Sequence, residues 1–286
     1  MKTETDAMFH VGKQLFEFFA PADIKAQYDF PTKERWDALI AKFRRAFEGD
    51  SIEDLASLAA DGRAALSGLR MAPGYDDLAD WLEQRIDEIE GARELTTRKE
   101  PPKSKVQPPS PSVQPVPHYD LWLARVRTRP LPKNASALMP KLRAAFAAEG
   151  VPPELAWLAE AESSLNPSAR SPVGAKGLFQ FMPETAKAMG LSTFLPDERT
   201  HPEKSARAAA RYLKILHGKF GGNWALALAA YNAGEGRVSR TLSRQGAKSF
   251  TAIADALPAE TRMYVPKVCA LIAVRAGVTP ERIGRK

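Results

Sequence analysis

The residue types best able to do acid–base chemistry in this chain lie in AEAESSLNPSARSPVGAKGLFQFM, residues 159–182. Two glutamates, Glu160 and Glu162, end a run of small and apolar residues. A loop rich in serine, proline and glycine follows, and then Gln180 stands between Phe179 and Phe181. If a helix starts at Pro153 with Leu155, Leu158 and Ala159 on its buried stripe, Glu162 falls about −20° from Leu155 at roughly 100° per residue. Glu160 falls about 140° away by the same rotation. The spacing therefore predicts Glu162 facing inward and Glu160 facing solvent. A buried carboxyl without a cation responds with a raised pKa and stays protonated near neutrality, which is what a general acid requires. A purely structural Glu162, accepting backbone amides or paired with Arg170, satisfies the same spacing. Downstream, Asn166-Pro167 disfavours continued helix. Ser171, Pro172, Gly174 and Gly177 build a loop that lets backbone approach a ligand. An amide at Gln180 beside two rings suits the hydroxyl, acetamido and apolar faces of sugars.

Other chemistries find little support. One cysteine, Cys269, excludes an internal disulfide framework and a cysteine-based zinc site. Its stripe of Val265, Val268 and Ile272 marks it as core rather than nucleophile. The four histidines, His10, His118, His201 and His217, show no metal-ligand spacing. GxSxG and GxxxxGK[ST] are absent. Of the carboxylates near the motif, Glu184 follows Pro183 and complements a helix N-terminus. No second acid stands opposite Glu162, as two-carboxylate glycoside hydrolysis would need.

The elements that must position these groups all read as helices. Pro153, Pro183, Pro202 and Pro258 sit where first turns tolerate proline, Asn223 suits an N-cap, and strand alternation is missing apart from a small hairpin expected within 168–178. Trp36, Leu39, Ile40, Phe43 and Phe47 follow one helical stripe, and Leu78, Trp81, Leu82, Arg85 and Ile89 another. Pro73-Gly74 and Glu48-Gly49-Asp50 supply breaks. Between the two halves, residues 101–117 contain 7 prolines in 17 positions, a semi-rigid extended linker. The expected organisation is an acidic helical module over 1–100, a linker over 101–117, and a catalytic domain over 118–286 with its motif core at 151–275. Net charge splits the same way: 14 basic against 21 acidic residues before position 101, and 27 against 13 after it. A basic C-terminal half favours an anionic polymer, nucleic acid or a glycan bearing peptide carboxylates. No recognised nucleic-acid motif is present. The N-terminal module reads either as a structural bundle or as a binding module with a protein partner. No run of 18 apolar residues predicts a membrane span. The N-terminus lacks a continuous apolar signal core, so either the protein is cytoplasmic or an export leader lies outside this sequence.

Residues from about 151 to 275 resemble the catalytic domain of the soluble and membrane-bound lytic transglycosylases, whose fold is the goose-type lysozyme fold. ESSLNPSARSPVGAKGLFQFMPETA carries the first block of that family, AYNAGEGRV at 230–238 the second, and ETRMYVPKV at 260–268 the third. The resemblance implies an all-α, lysozyme-like catalytic domain behind an N-terminal helical bundle and a Pro-rich linker. It implies a lyase that cleaves the β-1,4 bond between N-acetylmuramic acid and N-acetylglucosamine in peptidoglycan glycan strands and leaves a 1,6-anhydro sugar. Glu162 would be the single acid/base. Ser171, Gln180, Tyr231, Asn232, Glu260 and Tyr264 would contact substrate, without metal or cofactor, in the cell envelope and most naturally the periplasm. From the pattern alone, a Tyr231 hydroxyl on a buried helix face needs a partner, either Glu162 or backbone. Asn232 could instead cap a helix before Gly234, and Glu260 could complement a helix dipole. The alternatives are a non-cleaving peptidoglycan-binding scaffold and a lysozyme-type hydrolase that releases reducing ends.

Overall fold

A computed structural model describes residues 32–71, 76–97 and 116–285, together with the isolated positions His10, Lys13, Glu17 and Lys25. The described chain is helical throughout. In order the helices are α1 (Lys33–Glu48), α2 (Ile52–Ser57), α3 (Ala59–Met71), α4 (Asp76–Thr97), α5 (Tyr119–Arg127), α6 (Ala135–Ala148), α7 (Leu158–Ser163), α8 (Pro183–Ala188), α9 (Pro202–Lys219), α10 (Trp224–Ala233), α11 (Glu235–Gln245), α12 (Phe250–Ile253) and α13 (Ala259–Ala276). Instead of the expected hairpin, the 168–181 loop makes only two single bridges, Arg170 to Lys176 and Lys176 to Phe181. No strand forms among the described residues. The all-α expectation holds.

Helix α13 is the centre of the C-terminal half. From Val265 to Ile272 every residue is buried, as expected of a helix enclosed on all sides. It packs against α5, α7, α10 and the helices α1 and α4 of the N-terminal half. Cys269 lies in this core, as its stripe predicts. Asn223 caps α10 by accepting from the Leu226 amide at 3.1 Å. Pro183 and Pro202 open their helices. On α1, Phe43 and Phe47 stack at 6.3 Å between ring centroids and pack against the core. The side chains of Trp36, Leu39 and Ile40, the Pro73-Gly74 break, and all of the Pro-rich segment except Val116 and Pro117 lie outside the described residues.

Acidic α4 docks on basic α5 and α13 through a buried seam of charge. Lys267, 3% exposed, donates to Glu88 at 2.6 Å and pairs with Asp87 at 3.1 Å. Arg125 reaches Asp87 at 3.2 Å and Glu94 at 3.1 Å, and Arg129 also pairs with Asp87. Close approach is possible because α4 carries Gly91 at the crossing. A Cβ there would stand 2.9 Å from both Met263 Cε and Trp122 Cζ2, inside van der Waals contact.

Removing one member of a buried ion pair strands its partner at a cost of about 3–5 kcal/mol. Lys267→Met should therefore lower the melting temperature by on the order of 10 °C. Combining it with Glu88→Gln should restore much of the loss. Calorimetric scans of both variants test this, and a single variant as stable as the parent would show the seam to be dispensable.

Candidate active site

The acid-bearing helix α7 is only six residues long and follows a 3-10 turn over Pro153–Trp157. The tighter turn breaks the uniform 100° rotation assumed from sequence, and the two glutamates do not divide as expected. Glu160 does not face solvent. It is 8% exposed and held by Arg275 of α13, with Nη2 to Oε1 at 2.8 Å and Nε to Oε2 at 3.0 Å. Neighbouring elements cover Leu158 to Ala161 as well as Ser163, which leaves Glu162 as the one residue of α7 that is not buried. Glu162 is half-buried and borders a cleft of about 840 Å³.

Helix α7 stops earlier than Asn166-Pro167 requires. Ser164 and Leu165 both adopt left-handed backbone, with φ of 48° and 60°. The exposed carbonyls at that end are satisfied from the N-terminal half of the chain. With its amide turned so that both ends are satisfied, Gln84 of α4 donates to Ala161 O at 3.1 Å and Glu162 O at 3.2 Å, and accepts from Ser164 N at 3.0 Å. Such capping answers the orphan acceptors at a helix C-terminus. Ser163, to which sequence assigned no role, donates to Ala159 O and Leu178 O at 3.0 Å each. It thereby ties the acid's helix to the following loop.

That loop is held rigidly from behind. Gly177 has φ of 79°, and a Cβ on it would lie 1.9 Å from Arg199 O, so only glycine fits. Arg199, 5% exposed, donates to Gly174 O at 2.8 Å and Phe181 O at 3.1 Å and pairs with Asp197 at 2.8 Å. Hydrogen bonds from Arg199 hold the Asp197 carboxyl well below the usual carboxylate range, and Lys176 adds to the effect at 2.9 Å. Sequence reading missed this clamp, since nothing in an Asp-Glu-Arg triplet 16 residues past Phe181 signals contact with it. Ser171 Oγ accepts from Ala175 N at 2.9 Å, and Gln180 donates to Gly177 O at 2.9 Å. Phe179 and Phe181 do not offer rings to a ligand: both are buried, Phe179 against Phe146 at 5.7 Å.

Of the two partners open to Tyr231 in the sequence, Glu162 or backbone, the structure takes backbone. Tyr231 donates its hydroxyl to Phe179 O at 2.7 Å, while the buried Tyr264 donates to Glu162 Oε1. Asn232 does not cap its helix with its side chain. It accepts from Thr261 at 2.6 Å and donates to Glu260 at 3.4 Å. Glu260, in the first turn of α13, pairs with Arg85 of α4. Glu162 and Gln180 border the cleft directly, whereas Tyr264 reaches it through Glu162. Arg170 pairs with Asp77 at 3.8 Å rather than with Glu162.

Several carboxylates surround the cleft, and their pairing separates them. Asp80 and Glu83 share Arg70 at 2.7 and 2.6 Å, Asp87 meets Lys267, Arg125 and Arg129, and Glu160 meets Arg275. Among the described residues Glu162 forms no ion pair. Burial pushes its carboxyl up to about 7, against the Tyr264 hydrogen bond and the more distant Arg85 and Lys267, with Glu260 adding to the rise. The result is a carboxylic acid that remains protonated near neutral pH. No group of histidine, cysteine and carboxylates among the described residues is arranged to hold a metal ion, and no helix there is long and apolar enough to cross a membrane.

Comparison with known proteins places these residues in a wider set. Residues 141–254 match the sequence model described as the transglycosylase SLT domain. The chain is 40% identical over 124 residues to membrane-bound lytic murein transglycosylase D of Escherichia coli K12, covering 42% of this chain and 27% of that protein. It is 39% identical over 120 residues to the soluble lytic murein transglycosylase of Salmonella typhimurium, covering 40% of this chain and 19% of that one. The chain thus spans about a quarter or less of the length of these two relatives. Among solved structures, the 70 kDa soluble lytic transglycosylase of Escherichia coli overlaps with a TM-score of 0.46 at 20% identity, over 90% of this chain and 56% of its own.

The raised pKa has a consequence for stability. Glu162 moves from an ordinary 4.5 to about 7 on folding, so the folded state binds the proton more tightly. Stability is then unimpaired below pH about 4.5 and declines as pH rises to about 7, by up to about 3 kcal/mol. Glu162→Gln removes this loss. It should raise the melting temperature by several degrees at pH 8 and leave it unchanged at pH 4, as measured by thermal scans at both values. A difference independent of pH would contradict the buried-acid assignment.

Proposed function

We propose that this chain, whose residues 141–254 match the transglycosylase SLT domain, is a peptidoglycan lytic transglycosylase with Glu162 as its acid/base. The observation that carries the reading is the isolation of Glu162: among the described residues it is the carboxyl at the cleft left without a cation, and its pKa sits near neutrality. The relatives' names, murein transglycosylases, support the substrate class. In this reading a protonated Glu162 donates to the glycosidic oxygen between N-acetylmuramic acid and N-acetylglucosamine as positive charge develops at the anomeric carbon. The Tyr264 hydroxyl orients the carboxyl for that transfer. The resulting carboxylate then accepts the proton of the muramic acid C6 hydroxyl, whose oxygen attacks the anomeric carbon and closes a 1,6-anhydro ring. A nucleophile already tethered to the substrate supplies proximity without a captured water. The paired states of Asp80, Glu83, Asp87 and Glu160 leave none of them suited to act as a second carboxylate of a hydrolase.

Ser171, Gln180, Tyr231, Asn232, Glu260 and Tyr264 are proposed as the residues that shape the sugar site. Several of them do so by holding one another, as the Glu260–Asn232–Thr261 chain illustrates. The division into residues 1–100, 101–117 and 118–286, the basic surface as an attraction for acidic murein, and action in the periplasm belong to the same proposal.

Purified murein incubated with the protein should yield muropeptides ending in anhydro sugars, each lighter by one water than the products of hydrolysis. Reducing ends would indicate a lysozyme-type hydrolase, and binding without fragments a scaffold. Glu162→Gln should reduce turnover by about 10²–10⁴-fold while glycan binding persists.

Turnover should fall as pH rises through about 7, where Glu162 loses its proton. Arg85 favours the ionised form, so Arg85→Met should shift the alkaline limb of the rate profile upward. An unchanged or downward limb would remove Arg85 from the electrostatics of the site.

A further inference from the structure

Part of the wall of the cleft does not come from the segment that matches the SLT domain. It comes from α4, with Trp81 and Gln84 bordering the same space as Glu162 and Gln180. By its spacing Trp81 belongs on the apolar stripe of α4, yet that stripe is buried only in part. Leu82 and Ile89 are buried at 5% and 0% exposure, whereas Trp81 remains partly exposed and stands apart from the hydrophobic core and the apolar side chains packed on it. Among the described residues no aromatic ring or cation stacks on its indole. The helix that carries the ring is nevertheless held firmly. Gln84, one helical turn further along, is bonded to the carbonyls of Ala161 and Glu162 themselves. Arg85 is pinned to Glu260. Lys133 borders the same cleft, exposed and without an ion pair among the described residues. An aromatic ring and a free cation lining one cleft, beside an acid poised to cleave, match a pyranose with an apolar face and an acidic substituent.

We infer that Trp81 is a substrate-binding residue, forming with Lys133 a saccharide subsite on the α4 side of Glu162 that takes an amino-sugar unit of the glycan strand against the indole. The inference rests on the lytic reading of the cleft, and it adds to that reading a sugar contact supplied from outside the SLT segment.

The test uses the full chain carrying Glu162→Gln, titrated calorimetrically with N-acetylglucosamine oligomers of three to six units. Adding Trp81→Leu, which keeps apolar bulk but loses the ring, should weaken binding of the longest oligomer about tenfold. Trp81→Phe should stay within about threefold of the parent. In the active enzyme Trp81→Leu should raise KM for uncrosslinked glycan strands and leave kcat unchanged, whereas a merely structural role would lower the melting temperature and affect Leu and Phe variants according to packing. Equal affinities for parent and Trp81→Leu at every length overturn the subsite alone. Should the parent bind no oligomer, the subsite and the glycan reading of the cleft fall together. Should binding depend on Trp81 while the active enzyme releases no anhydro products, the subsite stands and the lytic reading falls.

Discussion

A carboxyl group surrounded by arginines and lysines ordinarily finds one of them and ionises. Glu162 does not, because the cations whose charge reaches it, Arg85 and Lys267, are already engaged by Glu260 and by Asp87 and Glu88, while Arg275 is held by Glu160. Desolvation keeps its proton in place up to about pH 7, against the hydrogen bond donated by the Tyr264 hydroxyl. The surrounding ion pairs are therefore part of the acid's environment as much as the tyrosine is. They stabilise the packing of α4, α7 and α13 and at the same time keep those cations from pairing directly with Glu162.

The same pairing gives the charge asymmetry of the chain a second meaning. An acidic first hundred residues and a basic remainder suggest separate partners when read as a sequence. In the folded protein part of that opposition is spent internally, in the seam where Asp87, Glu88 and Glu94 meet Arg125, Arg129 and Lys267. Gly91 lets the helices approach closely enough for those pairs to be buried. Helix α4 is thereby fixed against the acid's own helix, and its Gln84 completes the end of α7. What lies before the Pro-rich segment borders the site directly.

Precision on the other side of the cleft comes from backbone rather than charge. The loop from Asn166 to Phe181 has no regular structure to hold it, so Arg199 binds two of its carbonyls and Gly177 accepts a backbone contact that no side chain would survive. Ser163 joins the loop to α7. A proton donor must stay within a fraction of an ångström of its target, and such a loop can supply that only when it is over-determined in this way.

The helical class, the caps and prolines that begin the helices, the burial of Cys269 and the motif around Glu162 were all legible in the residues themselves, because they depend on local periodicity and on side chains acting within one or two turns. Tertiary structure decided everything that depends on who stands opposite whom. Glu160 became a buried ion-pair member because Arg275, 115 residues away, closes over it. Tyr264 took the acid while Tyr231 took a carbonyl, a choice that helix spacing leaves equal. Phe179 and Phe181 turned into the core, and Trp81 turned out of it, because a single-helix stripe records only which face is apolar and not whether a neighbour arrives to cover it. Side-chain pairing across the chain is a property of packing, and packing is settled only when all the helices are in place.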